Sequence, residues 1–313
     1  MVNAIFWNIR GVGTKKANHR LKNLIKCHKV DFVAILEPFL NMNNIEKYMK
    51  YFGFHHSLSN LNGQIWLFWV GNYNASIFSN TDQQSTIKLQ NSNTCKDIFI
   101  TTVYTKCAPL ERKDLWEDLE RVDQSIQGPW CIGGDFNVIL DPDEKLGGKP
   151  HRMAKSFDFS SCMNACEVSN LGFIGPKFTW CNNTISKERI WKRLDRVFIN
   201  DEWAILFQTN IVRHLPRVGS DHRPLLVKCY DSSQCGIKYF KFLNFWVDQP
   251  SFRQLVEDTW NVHIARNAQW ILQQKLKILN KKLSHWSRNV DDDENNKLIA
   301  VPDLEEVKVA VSV

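Results

Sequence analysis

Trp130-Cys131-Ile132-Gly133-Gly134-Asp135-Phe136-Asn137-Val138-Ile139-Leu140 predicts an apolar strand that ends in two glycines, a carboxylate and a carboxamide. Residues i and i+2 of a strand share a face, so Asp135 and Asn137 should point the same way if the backbone stays extended. Gly133 and Gly134 remove bulk where a ligand or another backbone segment must approach closely. This acid–amide pair suits the orientation of a water molecule, although both residue types are also common in ordinary polar turns.

Composition limits the class of protein. The chain has 313 residues, of which 43% are hydrophobic, so a large core can form. Most of the net charge of +7 lies on residues 1–237, and this weakly favours a polyanionic partner. Nine scattered cysteines without a Cys-x-x-Cys pair favour free thiols in a reducing, intracellular compartment, and Cys162 and Cys166 are expected in the core rather than on a metal. Neither a signal peptide nor a membrane span is predicted.

Hydrophobic periodicity predicts an alternation of strands and helices over the first three quarters of the chain. Strands are expected at residues 4–8, 31–36, 64–70, 75–79, 85–89, 97–104, 211–214 and 225–229, besides the strand that leads to Asp135. A hairpin is expected from residues 178–180 and 190–199. Helices are expected around residues 21–29, 45–52, 109–126, 153–167 and 200–207. Residues 144–152 predict a basic loop that either contacts a phosphate backbone or, as composition alone favours, is merely solvated.

Polar side chains recur at the ends of these strands. Each has an ordinary explanation as a turn residue, a solvated strand end, a wet core ring or a local ion pair. Together they match the division of labour in phosphodiester hydrolysis, where oxygen ligands hold Mg²⁺, a histidine stabilises phosphate charge and a carboxylate activates water. The residues are Asn8, Glu37, Tyr104, Asp135, Asn137, Asp195, Ser220, Asp221 and His222.

The chain resembles the endonuclease/exonuclease/phosphatase superfamily, and in particular the apurinic-endonuclease-like domains of plant LINE-type (non-LTR) retrotransposons. The ordered set of motifs is far more specific than Gly-Asp-Phe-Asn alone. The resemblance implies an α/β fold, a four-layered α/β sandwich of two packed mixed β-sheets flanked by helices, with the site at one end between the sheets and a helical C-terminal extension. The matching segments are Trp7-Asn8-Ile9-Arg10-Gly11, Leu36-Glu37-Pro38, Val103-Tyr104, Gly133-Gly134-Asp135-Phe136-Asn137, Gly175-Pro176-Lys177-Phe178-Thr179-Trp180, Arg193-Leu194-Asp195-Arg196 and Ser220-Asp221-His222.

The resemblance also implies a metal site and its surroundings. Glu37 is expected to be the main ligand of Mg²⁺, which Mn²⁺ could replace, with Asn8 and Asp221 beside it. Arg10 and Ser220 are expected to contact the substrate.

Five further residues are expected to take part in the hydrolysis of the phosphodiester. Asp135 would orient or deprotonate the attacking water, and Asn137 would position Asp135 and the phosphate. Asp195 would hold His222, whose imidazole would bind the scissile phosphate oxygen. Tyr104 would contact the same phosphate. The segment Phe178-Thr179-Trp180 is expected to be structural and to pack beneath the site.

The expected function is Mg²⁺-dependent nicking of double-stranded DNA to leave a 3′-hydroxyl, by a monomer that would act in the nucleus. Two alternatives stay open: a phosphatase for a small phosphoester, and a catalytically idle remnant that binds nucleic acid. Tyr104 favours the endonuclease, because the deoxyribonuclease-like and inositol-phosphatase branches of the superfamily that the chain resembles tend to have His at this position.

The expected domain organisation follows the same resemblance. Residues 1–230 would form the endonuclease/exonuclease/phosphatase domain, residues 238–290 a helical linker, and residues 291–313 a disordered tail. The chain carries no Tyr/Phe-x-Asp-Asp polymerase motif. A truncated retrotransposon product without a reverse transcriptase is therefore expected.

Overall fold

The computed structural model describes residues 1–91, 97–185, 188–230 and 250–262, together with 271–272, 275–276, 278–279, 282–283 and 286. The chain divides into two compact units, Met1–Ile237 and Lys238–Val313. The first unit carries all the strands of the described residues and every predicted site residue. In the second unit, α-helix is present at Pro250–Trp260 and at the described residues between 271 and 286, while the predicted tail at 291–313 lies outside the described residues.

The secondary structure is set out here in chain order. The strands of the described residues are β1 (Val2–Asn8), β2 (Phe32–Leu36), β3 (His56–Ser59), β4 (Ile65–Trp69), β5 (Tyr73–Asn80), β6 (Gln84–Asn91), β7 (Asp97–Tyr104), β8 (Trp130–Asp135), β9 (Lys145–Leu146), β10 (Ser169–Asn170), β11 (Trp180–Cys181), β12 (Trp191–Lys192), β13 (Asp195–Ile199), β14 (Thr209–His214) and β15 (Leu225–Tyr230). The α-helices are α1 (Lys15–His28), α2 (Ile45–Phe52), α3 (Lys113–Ser125), α4 (Phe157–Ala165), α5 (Asp201–Leu206) and α6 (Pro250–Trp260). Among the described residues, no helix combines the length and the apolarity needed to cross a membrane.

Two mixed six-stranded sheets dominate the first unit. The first sheet has the spatial order β14-β15-β1-β2-β4-β3, and the second has the order β10-β13-β8-β7-β6-β5. The pairs β1–β2 and β7–β8 are parallel, whereas the other neighbours are antiparallel. The short strands β11, β12 and β9 form a third sheet.

Side-chain alternation along the strands produces the layers. On β1, Phe6 faces the apolar core between the two sheets, whereas Ile5 and Trp7 pack on the opposite face with α1 and α2. On β8, Cys131 faces the same inter-sheet core, whereas Ile132 packs with α3 and α4. The order of layers is therefore helices, sheet, sheet, helices. The predicted four-layered sandwich is confirmed.

The two glycines before Asp135 permit this packing. A β-carbon at Gly133 would lie 2.7 Å from the ring of Phe6 in the opposite sheet. Gly134 has a φ of +143°, and a β-carbon there would lie 2.1 Å from the carbonyl oxygen of Val103. Glycine is needed at both positions because another part of the chain occupies the space of a side chain, as the sequence predicted.

The strand predictions were wrong in several places, and the short strands β9 and β10 were not predicted, but the predicted hairpin is present in part because β11 and β12 pair antiparallel. The segment 190–199 is not one strand, because β12 belongs to the third sheet and β13 to the second, with Arg193 and Leu194 between them. Only Trp180 of the predicted strand 178–180 is in a strand. The edge strand β3 was missed because His56-Ser57-Leu58-Ser59 has only one apolar residue, and propensity does not predict a strand there.

Candidate active site

Strand register assembles one half of the site. Asp135, the last residue of β8, pairs with Tyr104 of β7 on one side and with Asp195 of β13 on the other. All three residues lie on the inner face of the sheet. Side chains alternate along a strand, and Val197 and Ile199 of β13 and Cys131 of β8, which share a face with them, lie in the inter-sheet core. Two carboxylates and a phenol are therefore placed side by side by the backbone.

Asn8 connects this row to the first sheet. It is the last residue of β1, is fully buried, and has the parity of Phe6. Its side-chain Nδ2 donates to Glu37 Oε1 at 2.9 Å and, across the space between the sheets, to Asp135 Oδ2 at 3.0 Å. The predicted metal ligands and the predicted base are thus joined through one amide.

His222 lies between the two buried aspartates. Its Nδ1 is 3.0 Å from Asp195 Oδ2, and its Nε2 is 3.7 Å from Asp135 Oδ2. All three side chains are buried. Burial alone would lower the pKa of His222, but Asp195 and Asp135 outweigh burial and raise the pKa to about 9. A cationic imidazole is therefore favoured at neutral pH.

Burial raises the pKa of Asp135 as its largest effect, and Asp195 raises it further, whereas His222 lowers it. Its Oδ2 accepts from Asn8, and its Oδ1 accepts from the backbone N–H of Asn137 at 3.0 Å. A buried carboxylate held in one orientation and made more basic than usual suits proton abstraction near neutral pH.

Glu37 and its neighbours form the second half of the site. Tyr104 donates its hydroxyl to Glu37 Oε1 at 2.7 Å. Burial and this hydrogen bond raise the pKa of Tyr104, so the phenol remains a donor. Arg10 bridges two carboxylates, with Nε 3.5 Å from Glu37 Oε2 and Nη1 3.4 Å from Asp221 Oδ2. Arg10 therefore connects Glu37, which also contacts Asn8, with Asp221.

The Ser220–His222 loop is fastened to the first sheet. The Ser220 hydroxyl donates to the carbonyl of Asn8 at 2.8 Å and accepts from the backbone N–H of His222 at 3.0 Å. These contacts favour a role in positioning His222 over the predicted contact with substrate. Trp7 also donates its Nε1 to the carbonyl of His222 at 3.2 Å.

Thr179 and Trp180 contact the site directly, which the sequence did not indicate. The Thr179 hydroxyl accepts from the backbone N–H groups of Leu194 and Asp195, at 2.9 and 3.1 Å. Trp180 donates its Nε1 to Asp221 Oδ2 at 3.0 Å. The segment predicted to pack beneath the site therefore holds the backbone of Asp195 and the carboxylate of Asp221. The only signal in the sequence is the presence of a hydroxyl and an indole N–H in this segment.

Asn137 is placed in the site by a turn and not by the extended strand that was predicted. Strand β8 ends at Asp135, and Asn137 has a φ of +49°, so the extended backbone assumed for the pair is wrong. Its Nδ2 donates to the carbonyl of Thr105 at 2.6 Å. Arg10 and Glu37 also have positive φ, at 48° and 50°. Such strain in non-glycine residues concentrates at functional sites.

Two groups of side chains could hold a cation. Asp135, Asp195 and His222 offer ligand atoms that all lie within 4.8 Å of one another. The alternative set is Glu37, Asp221 and Asn8, and here Asn8 Oδ1 is a buried acceptor with no hydrogen-bond partner. The second set offers only oxygens, which suits Mg²⁺, whereas both ring nitrogens of His222 already face carboxylates. The second set therefore has the donor chemistry of a hard divalent cation, with the Arg10 guanidinium contacting both of its carboxylates.

The site opens into a large cleft of about 960 Å³. Glu37, Asn137 and His222 contribute to its lining, and Glu37 is the only carboxylate among the described residues that line it. The cations that line the cleft are Arg10, Arg112, Lys145, Lys149, Arg152, Lys155 and Lys192. The cleft is therefore strongly electropositive.

Solved structures share this fold at low sequence identity. The endonuclease domain of TRAS1, a telomere-specific non-LTR retrotransposon, is similar with a TM-score of 0.57 and 16% identity over 73% of this chain and 98% of that chain. An AP endonuclease from Archaeoglobus fulgidus has a TM-score of 0.56 and 14% identity, over 73% and 99% of the two chains. The 3′ phosphatase NExo from Neisseria, bound to a product DNA hairpin, has a TM-score of 0.54 and 14% identity over the same shares. These similarities concern the fold alone.

The sequence itself identifies the family. A search of curated protein sequences finds no significant match. The family model described as "Endonuclease/Exonuclease/phosphatase family" matches residues 5–222, which include all the site residues from Asn8 to His222. With the two-sheet sandwich and the site at one end of it, this match shows that the chain belongs to the endonuclease/exonuclease/phosphatase family.

Proposed function

We propose that the chain is a divalent-metal-dependent DNA endonuclease that nicks double-stranded DNA and leaves a 3′-hydroxyl. Members of its family hydrolyse phosphodiester bonds as nucleases or phosphatases. The finer assignment to DNA is supported mainly by the charge of the cleft. Among the residues that the structure describes, seven lysines and arginines line it, against a single carboxylate that belongs to the site itself.

A polyanion explains this imbalance better than a small phosphoester does. One phosphate group needs only a few donors, which His222, Asn137 and Arg10 could supply within the site. Lys149, Arg152 and Lys155 would remain unused, although they line the same cleft. A DNA backbone has one negative charge every ~1.7 Å along the duplex, so it would engage cations along the whole wall.

In the proposed mechanism, Asp135 takes the proton from the attacking water. Asn8 and the backbone N–H of Asn137 hold the two carboxylate oxygens in place. Asp195 keeps His222 in position and favours its cationic form. His222 would then donate from Nε2 to a phosphate oxygen, where negative charge develops in the transition state. The water oxygen would bond to phosphorus as the bond from phosphorus to the 3′-oxygen breaks, and the leaving 3′-oxygen would take a proton from solvent to give the 3′-hydroxyl.

Glu37, with Asn8 and Asp221, would hold the cation. When bound there, Mg²⁺, or Mn²⁺ in its place, would neutralise charge on the phosphate. Tyr104 would steer Glu37 through their hydrogen bond and, as the resemblance implies, would contact the phosphate. Arg10 would exchange its contacts with Glu37 and Asp221 for the substrate phosphate.

The origin and the domain limits form part of the same proposal. The motifs of plant LINE-type elements, and the similarity of fold to the TRAS1 endonuclease domain, support a retrotransposon-derived enzyme. We propose that it acts on nuclear DNA as a monomer. We place the nuclease in residues 1–230 and the helical linker in residues 238–290. Truncation after residue 232 is expected to keep nicking activity, and a complete loss would place part of the second unit in the enzyme.

The chemistry of the product tests this proposal. Plasmid nicked by the protein should prime synthesis by a DNA polymerase without prior phosphatase treatment, because the ends are 3′-hydroxyls. Glu37→Ala and His222→Ala should abolish nicking while circular dichroism remains that of the folded protein. Phosphate release from small phosphomonoesters without nicking would favour the phosphatase alternative, and metal-independent DNA binding without turnover would favour the idle remnant.

A further inference from the structure

Two lysines in the cleft face each other across paired strands. Strands β9 and β12 are antiparallel, and their register places Lys145 directly opposite Lys192. Both side chains are half-buried. Like charges directly opposite on neighbouring strands destabilise a sheet. This arrangement therefore destabilises the protein when no ligand is bound, so a contribution to stability does not explain it.

Within the described part of the chain, neither lysine forms an ion pair with a carboxylate. Among the described residues, Lys145 Nζ donates to the carbonyl of Lys149, while Lys192 Nζ lies over the ring of Trp180, 5.4 Å from its centroid. The acidic residues just before Lys145 are engaged elsewhere. Asp143 pairs with Lys177, and Glu144 pairs with two buried arginines.

A histidine in the same cleft responds to this excess of positive charge. Burial lowers the pKa of His151, and Lys145, Lys192, Lys155 and Arg112 lower it further. Its Nε2 is 2.7 Å from the Ser156 hydroxyl, which itself donates to the carbonyl of Ile139. The Nε2 proton of His151 is therefore directed at Ser156, and this hydrogen bond fixes the ring at the wall of the cleft.

We propose that Lys145 and Lys192 form a second phosphate-binding subsite on the wall of the cleft. It would bind a phosphate of the DNA backbone next to the one that is cleaved. Lysine binds phosphate as a point charge, and an anion between the two ammonium groups turns their repulsion into attraction. This inference rests on the proposed function, because it takes DNA as the substrate.

The cross-strand geometry permits a test in which stability and binding change in opposite directions. Lys145→Glu replaces the repulsive pair with an attractive one opposite Lys192, so the midpoint of thermal unfolding should rise by about 1–2 °C. The same change removes a phosphate contact and adds a repulsive charge. Affinity for a fluorescein-labelled 20-base-pair duplex should therefore fall at least about tenfold in EDTA. The slope of log affinity against log salt concentration (the salt slope) should decrease in magnitude by about 0.9.

Lys47→Glu on α2 is the matched control, because it makes the same change in net charge at an exposed position away from the residues that line the cleft. Lys192→Met is the second variant, because it keeps an apolar stem against Trp180. It should weaken duplex binding and lower the salt slope in the same way. If Lys145→Glu and Lys192→Met bind within twofold of Lys47→Glu, with equal salt slopes, the subsite does not exist.

This outcome is separable from failure of the proposed function. Binding is measured in EDTA, without cleavage. A negative result for the subsite would therefore leave plasmid nicking by the wild-type protein, and with it the proposed function, unaffected. A wild-type protein that binds the duplex through these lysines but never nicks would overturn the proposed function and leave the subsite standing.

Discussion

Glu144 holds together the loop that follows the catalytic strand, and its removal should cost the protein a large part of its stability. Glu144 is 6% exposed, and it forms ion pairs with Arg196, which is 1% exposed, and with Arg193, which is 7% exposed. It also accepts from the backbone N–H of Leu140 at 2.8 Å. Glu144→Gln would leave two buried guanidinium groups without a counterion. Breaking such a buried pair costs about 3–5 kcal/mol.

The pKa of Glu144 gives a second route to this magnitude. Burial alone would raise that pKa, but Arg196 and Arg193 outweigh burial and lower it from its ordinary value of 4.5 to about 2. A difference of this size corresponds to about 3 kcal/mol of stabilisation, in agreement with the cost of breaking the pair. Because the folded-state pKa is depressed, this stabilisation is complete above pH 4.5 and is lost as the pH falls towards 2.

Urea unfolding followed by tryptophan fluorescence measures the effect. At pH 7, Glu144→Gln should lower the free energy of unfolding by about 3–5 kcal/mol, and the difference from wild type should shrink steadily between pH 4.5 and pH 2. Asp97→Asn is the control, because it removes a carboxylate from a half-exposed pair with Lys88 and should cost less than about 1 kcal/mol. A difference below about 1 kcal/mol for Glu144→Gln at pH 7, or one independent of pH, would refute the reasoning.

Three further substitutions test how the site is held. Gly133→Ala would place a β-carbon 2.7 Å from the ring of Phe6, so urea unfolding should show a loss of about 1–3 kcal/mol from overpacking between the sheets. Thr179→Val removes the acceptor of two buried N–H groups, one of them that of Asp195, so stability should fall by about 1–3 kcal/mol in the same assay, whereas Thr179→Ser should be close to wild type. Asp195→Asn removes the charge that favours cationic His222, so nicking should fall at least about a hundredfold while circular dichroism remains that of the folded protein, and a fall under about threefold would contradict the role given to the pair.

The sequence predicted much of the fold because the buried strands are strongly apolar and alternate regularly. β1, β2 and β8 were found at the expected places, each ending in or just before a polar residue. The fold brings these ends together because Asn8 and Asp135 share the parity of inner-face residues on opposite sheets. Periodicity could indicate the strand ends. It could not indicate the register that places Tyr104, Asp135 and Asp195 in one row.

The parts that were missed depend on contacts distant in sequence or on local backbone turns. Glu144 was assigned to a basic loop that composition favours as solvated. It is buried because Arg196 on β13 and Arg193 just before β13 form ion pairs with it. Thr179 was considered a packing residue, although its hydroxyl binds backbone N–H groups 15 and 16 residues away. The left-handed backbone at Asn137 is a departure from propensity that no periodic pattern reveals.

The most direct test of the central proposal is nicking of supercoiled plasmid by the full chain, with Mg²⁺, with EDTA, and with Asp135→Ala in Mg²⁺. The proposal predicts nicking by the wild-type protein in Mg²⁺ and none in the other two reactions, with Asp135→Ala still folded by circular dichroism. Nicking that persists in EDTA or with Asp135→Ala would contradict the proposed chemistry. A folded wild-type protein that does not nick in Mg²⁺ would contradict the endonuclease assignment itself.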